Sequence, residues 1–598
     1  MNAKLRSILH TAWNEPRHFF FWLAMLSILG FAAVVVGFVA VNSSLPGPMQ
    51  ALAFVALGCG VCFAISLPAF ILAWIPPVRR LLSRVLSRRF LVLGCLVTLV
   101  ALFYAVEDWR GRHAWLSYKH AAEAKGERFD WAGLVPPLVS DDQNLFETPL
   151  FDDMHFMVTN NTTLWRDTNW GSRVLFNIWG LYSGNTPSIG NWVKAQRADL
   201  PGWQAFYHST NNFFAAPSGP PTNYFPVAKE PQTPAADVLL ALSRFDENRR
   251  LLVVAAARPE ARFWINYQDG SAMLIPHLAR MKSCSHYLSL HASAALKAGD
   301  NKAALEDSQL QFRLVEAIRG EPILISHLVR IAIVQIALSP IWDGLADWQW
   351  TDADLNAIER DLGKLDFLAD YHLAMRGERS CGLWAVDYIR KAGPWSFEAV
   401  DPEASTTRET RWSGDCEKAF GTILFKLVPA GWFDRNKLSM ASLHARFYVP
   451  LVDRDRRVIS PAAIDQDMAA MREQFLHRSP YDFLSGMLLP ALGRAAEKCA
   501  QSQSSVDLAR VACALERYRL ANGQFPDTLA ALAPKFIDSL PHDLINGQPL
   551  HYRRTDDGQF ILYSVGGNEK DDGGTLGLTK YGNPDWRQGD WVWRYPAK

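Results

Sequence analysis

A mainly α-helical chain with three N-terminal membrane helices, a large helical body outside the membrane and a small C-terminal α+β module is what this 598-residue sequence predicts. Three observations carry that prediction. Apolar runs of bilayer length occupy Phe19 to Val41, Ala51 to Ile75 and Phe90 to Val106, each near the roughly 17–25 residues that a spanning helix needs. Helical periodicity dominates from Ala235 to about Leu368. Between Val506 and Gly574 an amphipathic helix gives way to a hairpin and a loop rich in Gly, Asp and Asn.

The membrane part comes first. Residues 1–18 form a short N-terminus and 19–107 an anchor of three helices. The first run is too long, and too soon followed by others, for a cleaved signal peptide. Lys4, Arg6 and Arg17 precede it, the loop after it is uncharged, and Arg79, Arg80, Arg84, Arg88 and Arg89 lie between the second and third runs. The positive-inside rule therefore places the N-terminus and the Arg-rich loop in the cytoplasm. After three spans, everything beyond Glu107 is expected on the far side, the periplasm of a bacterial inner membrane. The Arg-rich segment also has the pattern of an amphipathic helix lying on anionic lipid. The lipid bilayer is thus the first expected partner. With 61 basic and 60 acidic residues, no global field favours nucleic acid.

Beyond the anchor, residues 108–235 are rich in Trp and Pro, and 236–480 form the helical body. The prolines of segment 215–234 exclude regular helix there. Val238, Leu239, Leu242 and Phe245 make one apolar stripe, and Leu288, Ala292, Ala295 and Leu296 another. The stretch from Ser285 to Gly320 pairs two helices around Gly299-Asp300-Asn301. That hairpin is similar to a tetratricopeptide unit, but no second copy recurs at a fixed period, so an irregular bundle is expected. Residues 376–450 read as a polar interruption. The 22 Trp residues read mainly as core or interface side chains.

Candidate chemistry is sparse. Cys59, Cys62 and Cys95 fall in apolar runs and read as small packers. Of the later cysteines, Cys499 and Cys513 are too far apart along one helix to bond, and Cys381 with Cys416 is the favoured pair. Asp152, Asp153 and His155, with Asp141 and Asp142 nearby, lack the further ligands of a metal site and read as a solvated acidic turn. His286 and His291 fall on different faces of one helix. No zinc-protease, nucleophile-elbow, Walker or dinucleotide motif stands in its required context.

Residues 481–598 complete the chain with a long helix and the α+β module. Leu508, Val511, Leu515 and Tyr518 form one helix face. Asn522-Gly523 supplies a left-handed stop, and Asp527 is placed to cap the short helix around Leu529. Two strands, 549–554 and 559–565, flank the turn Thr555-Asp556-Asp557-Gly558. The segments ALERYRLANGQFP, LPHDLINGQPLHY and LYSVGGN resemble the globular part of a type II secretion major pseudopilin, over about residues 500–595. That resemblance implies a calcium-stabilised loop. Asp543 is followed by Leu544-Ile545-Asn546-Gly547 where the family has Pro, Trp and Gly, and Asn568-Glu569 replaces its usual Asp-Gly. Asn568, Asp571, Asp572 and Asp590 are the candidate Ca2+ ligands, hard oxygens on a glycine-rich loop. Since the module follows a long chain and several spans, polymerisation into a pseudopilus is not expected.

Two function classes follow. One is a membrane-anchored extracytoplasmic scaffold or interaction protein of the bacterial envelope, linked to secretion and binding envelope proteins. The alternative is an envelope enzyme, hydrolytic in type, with its site in 108–235 or 376–450. A transporter fits poorly, because the apolar runs hold almost no ionisable residues.

Overall fold

A computed structural model of the chain describes Met25 and residues 88–159, 162–165, 176–179, 186–209, 213–214, 222–223, 225–393, 425–476, 479–489 and 492–595. Apart from Met25, the first two expected spans lie outside the described residues, as do Arg79, Arg80 and Arg84, Cys59, Cys62 and Cys416, and the stretch 394–424.

The protein is mainly helical, with a small C-terminal β region. In chain order the helices are α1 (Arg88–Glu123), α2 (Leu200–His208), α3 (Pro234–Leu242), α4 (Asp246–Ala256), α5 (Pro276–Ala298), α6 (Asn301–Ala317), α7 (Leu324–Ala346), α8 (Asp352–Gly363), α9 (Phe367–Ala392), α10 (Ala430–Phe447), α11 (Pro461–Leu476), α12 (Phe483–Leu488) and α13 (Gly493–Asn522). Short hairpins β1 (Phe156–Thr159) with β2 (Thr162–Trp165), and β3 (Phe213–Phe214) with β4 (Thr222–Asn223), interrupt the helices. Near the end come β5 (His551–Arg554), β6 (Phe560–Ser564), β7 (Leu576–Leu578), β8 (Pro584–Gly589) and β9 (Trp591–Trp593). Two compact units emerge. One gathers the described residues of Met1–Glu127, Val386–Ser439 and Arg478–Ser485, and the other Arg128–Ala385, Met440–His477 and Gly486–Lys598.

In the first unit the expected third span is the leading part of α1. Leu96, Val97, Leu99, Val100, Leu102, Phe103 and Val106 are all between 47% and 67% exposed. Just beyond them, the backbones of α1 and α10 meet at two glycines. A Cβ on Gly111 would stand 2.0 Å from the Gly431 carbonyl oxygen, and one on Gly431 would stand 2.0 Å from that of Glu107. Glu107 closes the same junction by accepting from Tyr481 Oη (2.8 Å), Trp432 Nε1 (3.0 Å) and Arg110 Nη1 (2.9 Å). Burial pushes its carboxyl up, and the Tyr481, Trp432 and Arg110 donors outweigh that, leaving it below the usual carboxylate range.

In the second unit α5 packs against α3, α6 and α7, while α13 packs against α7 and α8. The α5–α6 hairpin turns as the sequence predicts: Gly299 takes φ +83°, and Asp300 caps α6 by accepting from the Ala303 amide at 3.0 Å. Among the described residues, the one helix long and apolar enough to cross a membrane is α7, and 67% of its most apolar stretch is buried. It is the central helix of this unit, wrapped by other helices.

Three local expectations need correction. The expected interruption at 376–450 contains the latter part of α9 and all of α10. Its polar residues mask apolar positions such as Val386, Ile389, Met440 and Leu443, which are buried. The acidic turn is not solvated at its centre. Asp153 is 2% exposed and held by both guanidinium nitrogens of Arg280, with Nη2 at 2.9 Å, and His155 is also buried. Asp527 does not cap; the residue before the 3-10 turn Leu529–Leu532 is Thr528, and Asp527 pairs instead with Arg554 at 2.7 Å.

In the C-terminal region β5, β6 and β9 form an antiparallel sheet in that order, and β7 pairs with β8. The hairpin turns where predicted, with Gly558 at φ +76° and the Thr555 amide donating to the Gln559 carbonyl at 2.9 Å. Gly523 ends α13 at φ +81°. Leu508, Val511 and Leu515 are buried on the helix, which contacts β6 and β9. Cys381, Cys499 and Cys513 carry free thiols.

Candidate functional site

The oxygen-rich loop is organised around Asp590. Asp590 is fully buried, and its two carboxylate oxygens accept from the amides of Asp572 (3.1 Å), Gly574 (2.7 Å) and Thr575 (3.3 Å). Burial raises its carboxyl; those amides pull it back, and the Asp572 charge raises it further, so it stands above the usual range. Asp571 turns the other way, accepting from Tyr563 Oη at 3.0 Å and the Gly573 amide at 2.9 Å. Asp572 Oδ2 accepts from Asn568 Nδ2 at 2.7 Å. The loop therefore links Asn568 to Asp572, and Asp572 to Asp590, while Asp571 points to Tyr563. Among the described residues no three His, Cys, Asp or Glu side chains group as a metal ion would require. As arranged, the four residues do not converge on one ion.

Glu569 fastens the loop to α11. It takes φ +57°, and its carboxylate accepts from Ser460 Oγ and the Ala462 amide, both at 2.9 Å. A cleft of about 390 Å3 lies there, lined by Trp586, Trp591, Ile464 and Pro461. Arg587 bridges its charged edge, pairing with Glu497 and with Asp465 at 3.3 Å.

A second cleft, of about 330 Å3, contains a group that sequence reading passed over. It forms where α7 ends. Gly344 has no Cβ because Trp350 crosses it, with Nε1 2.2 Å from where that atom would be. The chain then reverses through Trp348 at φ +55°, a left-handed conformation that a bulky residue holds only under tertiary constraint. Gln349 is thereby carried back to α5, where its Nε2 donates to the Leu296 carbonyl at 2.7 Å. Asp343, in the last turn of α7, is 7% exposed. Its Oδ2 accepts from Ser293 Oγ of α5 at 2.9 Å, and its Oδ1 has no hydrogen-bond partner. Gln349 Oε1 is likewise buried without a partner.

Burial pushes the Asp343 carboxyl up to about 7, against Ser293, Arg197 and the nearby Ala198 amide, which hold it down; Asp347 adds a small push upward. At the rim, Arg197 and Lys297 both bind Asp347. Leu200, Pro201, Pro234 and Leu296 supply the apolar walls.

No family model, curated protein or solved structure matches the chain.

The other sequence candidates do not assemble. His291 Nδ1 lies 2.5 Å from Asp307, which also binds Arg249, whereas His286 lies edge-on to Trp179. Burial and Lys282 lower His286 to about 4, a neutral packed ring. Asp343 was invisible to motif reading. An Asp four residues before a second Asp, after Ser-Pro-Ile-Trp, carries no pattern that betrays the crossing of Ser293 and Gln349 beside it.

Proposed function

We propose that this chain is a membrane-anchored extracytoplasmic scaffold of the bacterial envelope. In this reading the N-terminus is cytoplasmic, residues 19–107 anchor the protein, and the helical and β regions face the periplasm, where they engage proteins of a secretion or envelope assembly. One observation carries it: the seven large apolar side chains of α1 between Leu96 and Val106 that stand about half exposed. They lie on several faces of the helix, directly ahead of the glycine junction. Side chains of that kind, left in water, would each forfeit about 1 kcal/mol or more of transfer free energy, which lipid contact supplies. The C-terminal region, with its long helix against a three-stranded sheet, supports the pseudopilin-like part of the reading.

The test is topological. Alkaline-phosphatase fused after residue 598 is expected to be active and a fluorescent protein dark, with the chain resisting carbonate extraction from inner membranes. A bright cytoplasmic fusion would overturn the proposal. The alternative, an envelope enzyme, draws on the buried Asp343 beside Ser293; a hydrolytic activity of the purified chain that Asp343→Asn abolishes would put it first.

A further inference from the structure

We infer that residues 425–428, which lead into α10, make a second contact with the bilayer, with Leu427 and Lys426 resting in the lipid interface beside the end of the apolar stretch of α1. The inference rests on the membrane-anchored reading above. It adds to that reading a contact 323 positions along the chain from Tyr104.

The depth of the segment is fixed by contacts within the first unit. Tyr104, Glu107, Asp108 and Gly111 share one face of α1, at steps of three and four residues. Along that face Tyr104 Oη donates to the Leu427 carbonyl, and the Gly431 amide donates to Asp108 Oδ1 at 2.7 Å. Trp432 Nε1 donates to Glu107 at 3.0 Å, and the backbones of Gly111 and Gly431 meet. Glu107 and Asp108 are the first charged residues after the apolar stretch. The Leu427 carbonyl is therefore held by a residue four positions, or about 6 Å, to the apolar side of Asp108. Its side chain is 58% exposed, as Leu102 and Phe103 are about half exposed on the adjoining turn of α1. A bilayer that covers Leu102 and Phe103 reaches Leu427 as well.

The backbone is equipped for that depth, where a carbonyl facing lipid needs a donor. Pro429 has no N–H to give, and the Gly431 amide is committed to Asp108. Tyr104 supplies the hydrogen instead. Lys426 is exposed beside Leu427, and its flexible stem lets the ammonium reach anionic headgroups. Trp109, Trp432 and Tyr481, at the level of Glu107, are of the residue types that gather at a membrane–water boundary. A soluble partner reaching Leu427 would have to displace lipid from Leu102 and Phe103, which makes the bilayer the occupant.

The experiment uses the full-length protein in native inner-membrane vesicles, with Leu427→benzoylphenylalanine as a photoreactive probe and adducts identified by mass spectrometry. Leu99→benzoylphenylalanine, on the apolar stretch, is the lipid reference. His120→benzoylphenylalanine, about 20 Å beyond Glu107 along α1, is the water reference. The expected result is phospholipid adducts at 99 and 427, with at least about tenfold less at 120, since a headgroup layer is only about 5–8 Å deep. No lipid at 99 would overturn the membrane reading and this inference with it. Lipid at 99, with protein adducts or none at 427, would overturn this inference alone. Where the Leu427 variant does not accumulate, Lys426→benzoylphenylalanine is held to the same outcomes.

Discussion

Buried carboxylates are handled in opposite ways in the helical body and in the C-terminal β region. In the helices, Asp153 is answered by the side chain of Arg280, and Asp370 by Arg319 and by Arg330, whose Nη1 lies at 2.9 Å. In the β region, Asp543 accepts from the amides of Ile545 and Val565, both at 2.9 Å, and from Ser564 Oγ at 2.8 Å. Asp590 is likewise answered by the amides of its own loop. The cause is secondary structure. Helix amides are spent on the helix, so a buried acid there needs a cation from another element. Irregular loops have free amides and can wrap them round a carboxylate. Asp343 departs from both patterns, since it lies in the helical region with no ion pair of its own, and so does Asp507, which accepts from Gln503 Nε2 at 3.1 Å.

The largest expected effect separates the two patterns. Asp543→Ala strands two buried amides and a hydroxyl, and is expected to lose about 4–5 kcal/mol, measured by denaturant unfolding of the full chain in detergent. Since its partners are backbone, no second substitution should rescue it. Arg280→Met leaves Asp153 charged and buried, a loss of about 3–4 kcal/mol. Here a second change does rescue: Asp153→Leu in the same chain should recover all but about 1 kcal/mol, as replacement of buried ion pairs by apolar residues often does. A rescue of Asp543→Ala, or none of Arg280→Met, would erase the distinction.

Asp343→Asn should do much less, within about 1 kcal/mol of the parent at pH 7, because the carboxyl already lacks one partner. Its pH dependence is the sharper reading. The folded carboxyl stands at about 7 against an ordinary 3.8, so the folded state holds this proton more tightly than the unfolded state. Its contribution to stability is complete below about pH 4 and is lost as pH rises through 7. The Asn variant has no such group, so its stability relative to the parent should rise from pH 4 to pH 7. A difference that stays flat or falls over that window would show that Asp343 is an ordinary surface-like acid.

How much of this was legible in the sequence follows the same division. Elements fixed by local chemistry were readable: the Gly299-Asp300 turn, the left-handed Gly523 stop and the Thr555–Gly558 hairpin each depend on residues adjacent in the chain. Buried pairs were not. Asp153 and Arg280 are 127 positions apart, so Asp152-Asp153 read as a wet acidic turn. Asp527 has the right type and place for a cap, yet Arg554 from the next hairpin competes for it at 2.7 Å. For the loop, oxygen-bearing residue types were visible, but not which of them would be consumed by amides.

That last point sets the smallest expected effect. The resemblance to pseudopilins implies that calcium closes the 566–574 loop. In this chain Asp590 already gathers the amides of Asp572, Gly574 and Thr575, and Glu569 ties the loop to Ser460 and Ala462. Calcium binding would have to displace those bonds, and a ligand stabilises only by its preference for the folded state. Millimolar calcium is therefore expected to move the melting temperature by less than about 1 °C relative to a chelator control. Asp590→Asn, which weakens charge-assisted acceptance at the same amides, should cost about 1–2 kcal/mol with or without calcium. A rise of several degrees with calcium, absent in Asp590→Asn, would mean that the loop rearranges around an ion and that Asp590 is one of its ligands.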